Sequence, residues 1–519
     1  MNDRLTGGND KMMRKTAVFS TVAFCAFLAG EACTGLYVGK GVSASGETLL
    51  ARTEDDWGMK FWHFGDVVPH RVRTSPETLT GAFGFRRELP LETYRYICFP
   101  RATQFGTGRL AAEAINEKGF AMSAVVTAWP KHELIRHDPF PRDGCSWETM
   151  PDYLGACCAT AREAVDLLAR IVKENGCFEG GIYMLADQKE AWYFEIYTGH
   201  HWAAVRMPED CVATWGNEYM LGEVDPSASG FRCSEGLFDL IEKAGVAVRG
   251  KTGRIHLAAS CAAPLDDFHN MRTWWGRRYF APGCGEAKRY EKYRRYDLFF
   301  RPEGKVTLAK AIEFLRSRYE GTELCPEWNH KDYIKFVGSE NQEQEHVIAI
   351  RDGVPPEFAL VSWTALGPAE HSVFVPVPAV LDRFEPDWSC DSPAGVPESY
   401  HDVKSVAHRI RKLATLARVD RERYGIPIRR FWKNQEKRYA DEWEGVFLSA
   451  LKDGDRERAA ATLSEYSRKC QREVSVRTDG LIDQLMNYMV VDVRTCWWHP
   501  APDGYGIVPV PENPPFEPK

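Results

Sequence analysis

The chain has 519 residues, of which 44% are hydrophobic and 27% are charged, a balance typical of soluble globular proteins. Its formal net charge is −7 and no long run carries a single sign, so nucleic acid and anionic membrane surfaces are not expected partners. The 15 cysteines include no Cys-x-x-Cys pair, which gives no support to a structural zinc site.

The first 32 residues resemble a secretory signal peptide. A basic stretch from Lys11 to Lys15 precedes the apolar run Ala17–Ala29, and small residues follow up to Ala32. The apolar run is shorter than the roughly 20 residues that span a bilayer. We therefore expect signal peptidase to cleave after Ala32, and the mature chain to be exported with Cys33 at its N-terminus. The alternative is a buried hydrophobic N-terminal helix.

A β-hairpin is predicted directly after Cys33. Two short apolar runs, 35–38 and 48–52, flank a stretch rich in glycine and serine. If the turn is centred near Ala44, strand pairing returns the segment Arg52–Asp55 to the side of Cys33. The hairpin then gathers a thiol, a guanidinium and carboxylates at one strand end.

The middle of the chain alternates between predicted helices and strands. We predict a helix over Leu110–Lys118, a buried strand over Phe120–Val126, and a helix that begins at the capping box of Thr160 and Glu163 and ends near Gly176. An antiparallel meander and one further strand follow, over Ile182–Ala186, Trp192–Tyr197, Trp202–Arg206 and Val212–Trp215. The aromatic residues of the meander are expected in the core.

In the last third of the chain, predicted strands are followed by predicted helices. The predicted strands are Val347–Ile350, Ala359–Ala365 and His371–Val377. The predicted helical segments are Val403–Leu416, Ala440–Leu451 and Arg456–Arg472. Together with the earlier elements this pattern indicates an α+β architecture. A proline-rich tail from Pro500 is expected to be extended.

Cys33 at a cleavage point has three interpretations: an incidental first residue, a lipid-anchored cysteine or a nucleophile. A lipid anchor is disfavoured because Glu31 stands where the cysteine should follow Leu28-Ala29-Gly30. An N-terminal cysteine carries both a thiol and an α-amino group, with reference pKa values near 8.5 and 8. Nucleophile and base can therefore reside on one residue, as in enzymes with an N-terminal threonine.

Several motifs carry a resemblance to a known family. Cys33-Thr34, Val38-Gly39-Lys40 and Leu50–Asp55 resemble the opening of the PepD-like cysteine dipeptidases, which are N-terminal-nucleophile hydrolases related to penicillin V acylase and bile salt hydrolase. The resemblance continues through Asn116–Ser123, Ala191–His200, Asn270–Trp274 and Leu366–Pro368. It extends from Cys33 to about residue 490. Each motif is short, but their number and order make the resemblance to this family specific.

The resemblance implies a four-layer αββα sandwich with additional C-terminal helices. On this interpretation residues 1–32 are removed, 33–390 form the catalytic core, and 391–519 form a helical section packed on the same domain. The implied activity is hydrolysis of dipeptides or short peptides through a thioester on Cys33, without metal or organic cofactor. The open alternatives are an N-acyl amidohydrolase similar to penicillin V acylase and, outside enzymes, a lipoprotein anchored at Cys33.

The resemblance also implies roles for particular residues. Cys33 matches the nucleophile, Arg52 would favour its thiolate, and Asp55 would hold the α-amine. Asn217 matches the side chain that donates to the oxyanion, and Arg272 is aligned with a later active-site arginine.

Other residues leave alternatives open. A backbone N–H near Val126 would complete the oxyanion hole, although the side chain there departs from the family pattern. By themselves, Arg52 with Asp55 would more often be a surface ion pair and Asn217 a turn residue. Glu54 or Asp56 could take the place of Asp55. His200 and His201 are expected to be structural.

Overall fold

The computed structural model describes residues 33–55, 63–101, 110–126, 128–325, 334–389 and 403–498. The predicted signal segment, Asp56 and the tail from Pro500 lie outside the described residues. Within them, the first strands are β1 (Thr34–Val38), β2 (Thr48–Asp55), β3 (Asp66–Val68), β4 (Arg71–Val72), β5 (Glu77–Thr80), β6 (Arg86–Leu89), β7 (Glu92–Thr93), β8 (Tyr96–Arg101), β9 (Leu110–Asn116) and β10 (Ala121–Val126). The later strands are β11 (Gly181–Ala186), β12 (Ala191–Ile196), β13 (Trp202–Arg206), β14 (Val212–Trp215), β15 (Phe231–Cys233), β16 (Phe299–Phe300), β17 (Gln342–Ile350), β18 (Leu360–Leu366) and β19 (Val375–Pro378).

The helices of the described residues fall into an early and a late group. The early helices are α1 (His132–Ile135), α2 (Met150–Cys157), α3 (Ala161–Asn175), α4 (Leu237–Lys243), α5 (Leu257–Cys261), α6 (Asp267–Phe280) and α7 (Leu308–Leu315). The late helices are α8 (Val406–Ala417), α9 (Ile426–Leu451) and α10 (Arg456–Trp498). None of these helices is apolar over a long enough stretch to cross a bilayer.

Two antiparallel sheets organise the fold. The first sheet has the strand order β16-β14-β1-β2-β17-β18-β19, and the second has β15-β13-β12-β11-β10-β9-β8-β3. Strand β1 therefore lies in the interior of the first sheet, between β14 and β2. Thr34 pairs with Thr53 across β1 and β2, which confirms the predicted hairpin and the return of Arg52–Asp55 to the start of β1.

The sheets pack against each other and are covered by helices on their outer sides. Strands β2 and β18 of the first sheet contact β10 and β9 of the second. Helices α2 and α3 pack on the second sheet, whereas α6 and α7 pack on the first. The order of layers is helix, sheet, sheet, helix, which agrees with the predicted αββα sandwich.

The central meander and the capped helix are confirmed. β11, β12 and β13 pair in sequence as antiparallel neighbours, and the ring of Trp192 is fully buried. The Thr160 hydroxyl accepts a hydrogen bond from the backbone N–H of Glu163 over 3.2 Å, so this cap begins α3. The fourth predicted strand, β14, joins the other sheet beside β1.

The predicted helix over Leu110–Lys118 is wrong, because Leu110–Asn116 forms strand β9. Its alanine-rich sequence suits a helix in isolation, but β8 and β10 both pair with it inside the second sheet. The Asn116 side chain accepts hydrogen bonds from the N–H groups of Lys118 and Phe120, which makes the following segment a tight turn. Tertiary pairing therefore overrides local propensity here.

The C-terminal helices pack on the edge of the first sheet. Ser467 of α10 donates a hydrogen bond to the Pro376 carbonyl of β19 over 2.7 Å. Arg316, at the end of α7, forms a buried ion pair with Glu436 of α9. Helix α10 continues to Trp498, well past the predicted end at Arg472. The boundary predicted at residue 390 lies outside the described residues.

Gly35 in β1 is required by close packing. It pairs with Trp215 of β14, and a Cβ atom at position 35 would lie 2.4 Å from the indole ring of Trp215. That separation is far below ordinary van der Waals contact. The strand that follows Cys33 is therefore fixed against β14 by a glycine.

Candidate active site

The thiol of Cys33 lies beside a buried guanidinium. Arg52 Nη2 donates to Cys33 Sγ over 3.2 Å, and Arg52 Nη1 donates to Glu54 Oε2 over 2.9 Å. The contact follows from the hairpin, whose register is set by Thr34 and Thr53, with the Thr34 N–H donating to Thr53 Oγ1 over 3.0 Å. The carboxylate thus fixes a guanidinium whose positive charge faces the sulfur.

Arg272 of α6 joins Cys33 to Asn217. Its Nη2 donates to Asn217 Oδ1 over 2.9 Å, and its Nη1 donates to the Cys33 carbonyl and, over 3.1 Å, to Thr34 Oγ1. A guanidinium has donors only, so the atom of Asn217 that faces it is the amide oxygen. The Nδ2 donor of Asn217 is therefore directed away from Arg272.

A glycine permits the contact between α6 and the end of β14. A Cβ atom at Gly216 would lie 2.8 Å from Arg272 Nη2 and 2.9 Å from the His269 carbonyl. The Gly216 N–H donates to Thr273 Oγ1 over 3.3 Å, which fixes the strand end on the helix. Asn217 follows immediately, so its position depends on this close approach.

Asp55 is a buried carboxylate near the N-terminal end of β1. It lies two residues beyond Thr53, which pairs with Thr34, so the register places it at the N-terminal end of β1. Its Oδ2 is 3.3 Å from Lys335 Nζ, and neither carboxylate oxygen accepts a hydrogen bond from any residue that the structure describes. Burial raises the pKa of Asp55, although the charge of Lys335 opposes the shift.

A second group of buried charges lies behind Arg52. Side-chain ligand atoms of Glu54, His63 and Glu343 lie within 4.8 Å of one another. His63 Nδ1 donates to the Phe99 carbonyl over 2.7 Å, and its Nε2 lies 3.3 Å from Glu54 Oε2. Arg101 Nη1 is 3.7 Å from Glu54 Oε1 and 3.9 Å from Glu343 Oε2.

These residue types could bind a metal, but Arg101 already brings a positive charge to both carboxylates. Burial alone would raise the pKa of Glu54, yet His63, Arg52 and Arg101 outweigh it and hold the pKa below its ordinary value. Glu54 is therefore an anion that anchors Arg52. Glu343 is far from Glu54 and His63 in the sequence, so no local motif predicts this cluster.

A polar layer between the two sheets underlies Arg52. Glu113 of β9 accepts hydrogen bonds from Gln344 Nε2 over 2.8 Å and from Ser362 Oγ over 2.9 Å. His346 pairs with Arg52 across β17 and β2, and its Nε2 is 2.8 Å from Ser123 Oγ. Burial raises the pKa of Glu113 to about 8. The floor of the site is therefore polar and includes a carboxyl group that is neutral at pH 7.

The five predicted site residues are brought together by the structure. They are Cys33, Arg52, Asp55, Asn217 and Arg272, and each is at least 97% buried. The interpretation of Arg52 and Asp55 as a surface ion pair is therefore wrong. The chemical roles of the five residues stay predictions.

The remaining candidates lie in other surroundings. His200 Nδ1 and His201 Nδ1 are 2.8 Å and 2.9 Å from the two oxygens of Asp138, which gives both histidines a structural contact. Val126 ends β10 and pairs with Gly181 of β11. Lys335, His63 and Arg101 were not predicted, since no local motif marks them.

Comparison with known proteins agrees with the motifs. The model of peptidase family C69 matches residues 32–399. A probable dipeptidase B of Streptococcus pyogenes serotype M1 is 28% identical over 376 residues, which cover 68% of this chain and 73% of that protein. A probable dipeptidase of Latilactobacillus sakei is 27% identical over 359 residues, which cover 67% of this chain and 74% of that protein.

A solved structure with a detectable likeness is a variant of the conjugated bile acid hydrolase from Clostridium perfringens. The match covers 67% of this chain and 92% of that chain, with 10% sequence identity and a TM-score of 0.28.

Proposed function

The chain belongs to peptidase family C69, and from that premise we propose that it is a cysteine-type dipeptidase with Cys33 as its nucleophile. The observation that carries the proposal is the 3.2 Å contact between Arg52 Nη2 and Cys33 Sγ. A neighbouring guanidinium stabilises the thiolate, which is the reactive form of cysteine.

The proposed first step is attack of the Cys33 sulfur on the scissile carbonyl carbon. The α-amino group of the same residue accepts the thiol proton, directly or through a water molecule. A carbon–sulfur bond forms, the amide carbon–nitrogen bond breaks, and the proton is passed to the departing amine. Water then hydrolyses the thioester and regenerates the thiol.

Asn217 is the proposed donor to the oxyanion. Because Arg272 engages its Oδ1, the Nδ2 donor is held in one orientation before substrate arrives. A donor that is already oriented stabilises the developing negative charge without reorganisation, and removing such a donor typically costs about 10²–10³ in rate.

Asp55 is the proposed partner of the α-amino group. Its carboxylate is buried near the start of β1 and accepts no hydrogen bond from the described residues. Release of the Cys33 nitrogen as an α-ammonium group would supply a donor and a second positive charge beside that of Lys335. The geometry thus supports a role for Asp55 that requires a free N-terminus at residue 33.

We also propose that the chain is exported and that signal peptidase produces this N-terminus. The support is the composition of residues 1–32, in which basic residues precede a short apolar run and Ala32 stands before Cys33. Export thereby becomes the activating step, since the amine that serves as the base does not exist in the precursor.

The test combines N-terminal analysis with activity. The exported protein should begin with an unmodified Cys33, by intact mass and N-terminal sequencing, and should hydrolyse dipeptides faster than N-acylated amino acids. Cys33→Ala should abolish hydrolysis while Cys261→Ala, which removes another buried thiol, should retain it. A diacylglycerol on Cys33 would instead indicate a lipoprotein, and a preference for N-acylated amino acids would indicate an acylase.

A further inference from the structure

A second pair of sulfur atoms lies in contact away from Cys33. Cys145 Sγ and Cys177 Sγ are 3.4 Å apart, and both residues are fully buried. The two residues face each other across an isolated parallel β-bridge. Neighbouring strands lie about 4.8 Å apart, which falls within the separation of Cα atoms that a disulfide accepts.

The backbone around the two cysteines is already fixed. The Cys145 N–H donates to the Gly176 carbonyl over 2.9 Å, and the Phe178 N–H donates to the Cys145 carbonyl over 2.8 Å. The Cys177 N–H donates to the Gly199 carbonyl over 2.7 Å. Side-chain rotation alone can therefore bring the sulfur atoms to bonding distance without moving the chain.

We propose that Cys145 and Cys177 form a disulfide bond in the mature protein. The proposal rests on the proposed export, because thiols remain reduced in most cytosolic proteins. The oxidant is a disulfide-bearing thiol oxidoreductase of the export compartment. One cysteine thiolate attacks the oxidant's disulfide, and the second displaces the oxidant's thiolate, so two electrons and two protons leave the pair as two oxidant thiols.

The bond forms during folding. The contact with Cys177, together with burial, raises the pKa of the Cys145 thiol, so the folded reduced protein presents little Cys145 thiolate to an oxidant. Before the segment is buried both thiols are accessible. A reduced, folded sample is accordingly expected to react slowly with added oxidant.

The position of the bond connects it to the active site. Cys145 lies two residues before Trp147, whose ring centroid is 5.3 Å from the Arg52 guanidinium carbon and 5.7 Å from that of Arg101. A disulfide at Cys145 would therefore tie the segment that covers Arg52 to the end of α3. The Trp147 ring that covers the Arg52 guanidinium would then belong to a segment that the disulfide anchors covalently.

Peptide mapping of the exported wild-type protein tests the bond directly. Free thiols are alkylated under denaturing, non-reducing conditions before digestion and mass spectrometry. We expect one cross-linked peptide pair containing residues 145 and 177, which separates into two peptides on reduction. Alkylation of both cysteines, or a cross-link of either to another cysteine, would overturn the proposal. The intact mass of the same sample reports the N-terminus independently, so the two proposals can fail separately.

Thermal unfolding supplies a second readout. Wild-type protein that is reduced with dithiothreitol in denaturant and refolded under reductant should have a Tm lower by about 5 °C, because the bond closes a long loop in the unfolded chain. The double variant Cys145→Ala/Cys177→Ala should have the lower Tm with or without reductant. Cys261→Ala should retain the sensitivity to reductant. Equal sensitivity of the wild type and the double variant would contradict the bond.

Discussion

Arg272 Nη2 donates a hydrogen bond to Asn217 Oδ1 over 2.9 Å, although 55 positions separate the two residues along the chain. The same guanidinium also donates to the carbonyl of Cys33. The proposed nucleophile and the proposed oxyanion donor are thus positioned by a single side chain of α6. Their relative geometry depends on how this helix packs on the first sheet.

Asn217→Asp should lower the catalytic rate with little effect on thermal stability. The aspartate can still accept the hydrogen bond from Arg272, so we expect little change in Tm. It has no donor for the oxyanion and adds a negative charge, so kcat for dipeptide hydrolysis should fall by at least about 10²–10³. Steady-state kinetics and thermal unfolding measure the two effects.

Asn116→Asp is the matched control for this change. Asn116, at the end of β9, donates through Nδ2 to the carbonyls of Gly155 in α2 and of Cys158 just after it, and it contacts none of the five predicted site residues. Its replacement should therefore lower Tm and leave kcat of the folded enzyme nearly unchanged. Near wild-type kcat in Asn217→Asp would remove Asn217 from the proposed mechanism.

Arg52→Met should lose both stability and activity. It takes the hydrogen-bonded guanidinium away from the buried Glu54 carboxylate, which keeps Arg101 and His63 as neighbours, so we expect a loss of at most about 3–5 kcal/mol in the free energy of unfolding. It also removes the positive charge beside Cys33 Sγ, so the rate of thiol alkylation at neutral pH should fall together with kcat.

Arg316→Met separates these two effects. Arg316 is equally buried and pairs with Glu436, so a comparable loss of stability is expected on denaturant unfolding. It does not contact Cys33, so alkylation rate and kcat of the folded enzyme should be retained. Equal kinetic losses in both variants would indicate a general structural effect rather than activation of the thiol.

Glu113→Gln should make the protein more stable than the wild type, by an amount that grows as the pH rises. Burial raises the pKa of Glu113 from 4.5 to about 8. Between these values the folded state binds the proton and the unfolded state does not, so the contribution of Glu113 to the free energy of unfolding decreases with increasing pH. Glutamine does not titrate, so the variant should be more stable than the wild type by about 3 kcal/mol at pH 7, with a difference near zero at pH 4.

Denaturant unfolding at several pH values measures this difference. Glu88→Gln, at an exposed position, serves as the control and should change stability little at any pH. A difference between Glu113→Gln and the wild type that is independent of pH would contradict the raised pKa of Glu113.

Chelation should leave dipeptide hydrolysis unchanged. The carboxylates of Glu54 and Glu343 already have Arg101 as a positive neighbour, and the proposed chemistry uses sulfur and nitrogen atoms of Cys33. Dialysis against a chelator should therefore preserve kcat/KM and Tm, whereas a thiol-alkylating reagent should abolish activity. Activity that is lost on chelation and restored by a divalent cation would place a metal at the cluster of Glu54, His63 and Glu343.

The parts of the fold that follow local rules were predictable from sequence. The hairpin after Cys33, the cap at Thr160 and the meander all follow from turn residues, alternation and side-chain caps. Strand β9 was not predictable in this way, because an alanine-rich segment favours a helix until two neighbouring strands pair with it. The part of α10 beyond Arg472 was likewise not predictable from the local sequence pattern.

The candidate site divides along similar lines. Cys33, Arg52 and Asp55 lie within one hairpin, so their proximity follows from a turn and a register. Arg272 and Asn217 were assigned through family motifs, and their mutual hydrogen bond required the packing of α6 on β14. The groups that surround Glu54, such as His63 and Arg101, come from segments whose pairing no local pattern reveals.

Gly35 has a consequence for laboratory evolution of this protein. Since a Cβ atom there would lie 2.4 Å from the indole of Trp215, the two positions form a coupled pair. A library that varies position 35 alone should return glycine, whereas alanine should be recovered only when position 215 carries a smaller side chain. Searches for new substrate preference near Cys33 would therefore sample these two codons jointly.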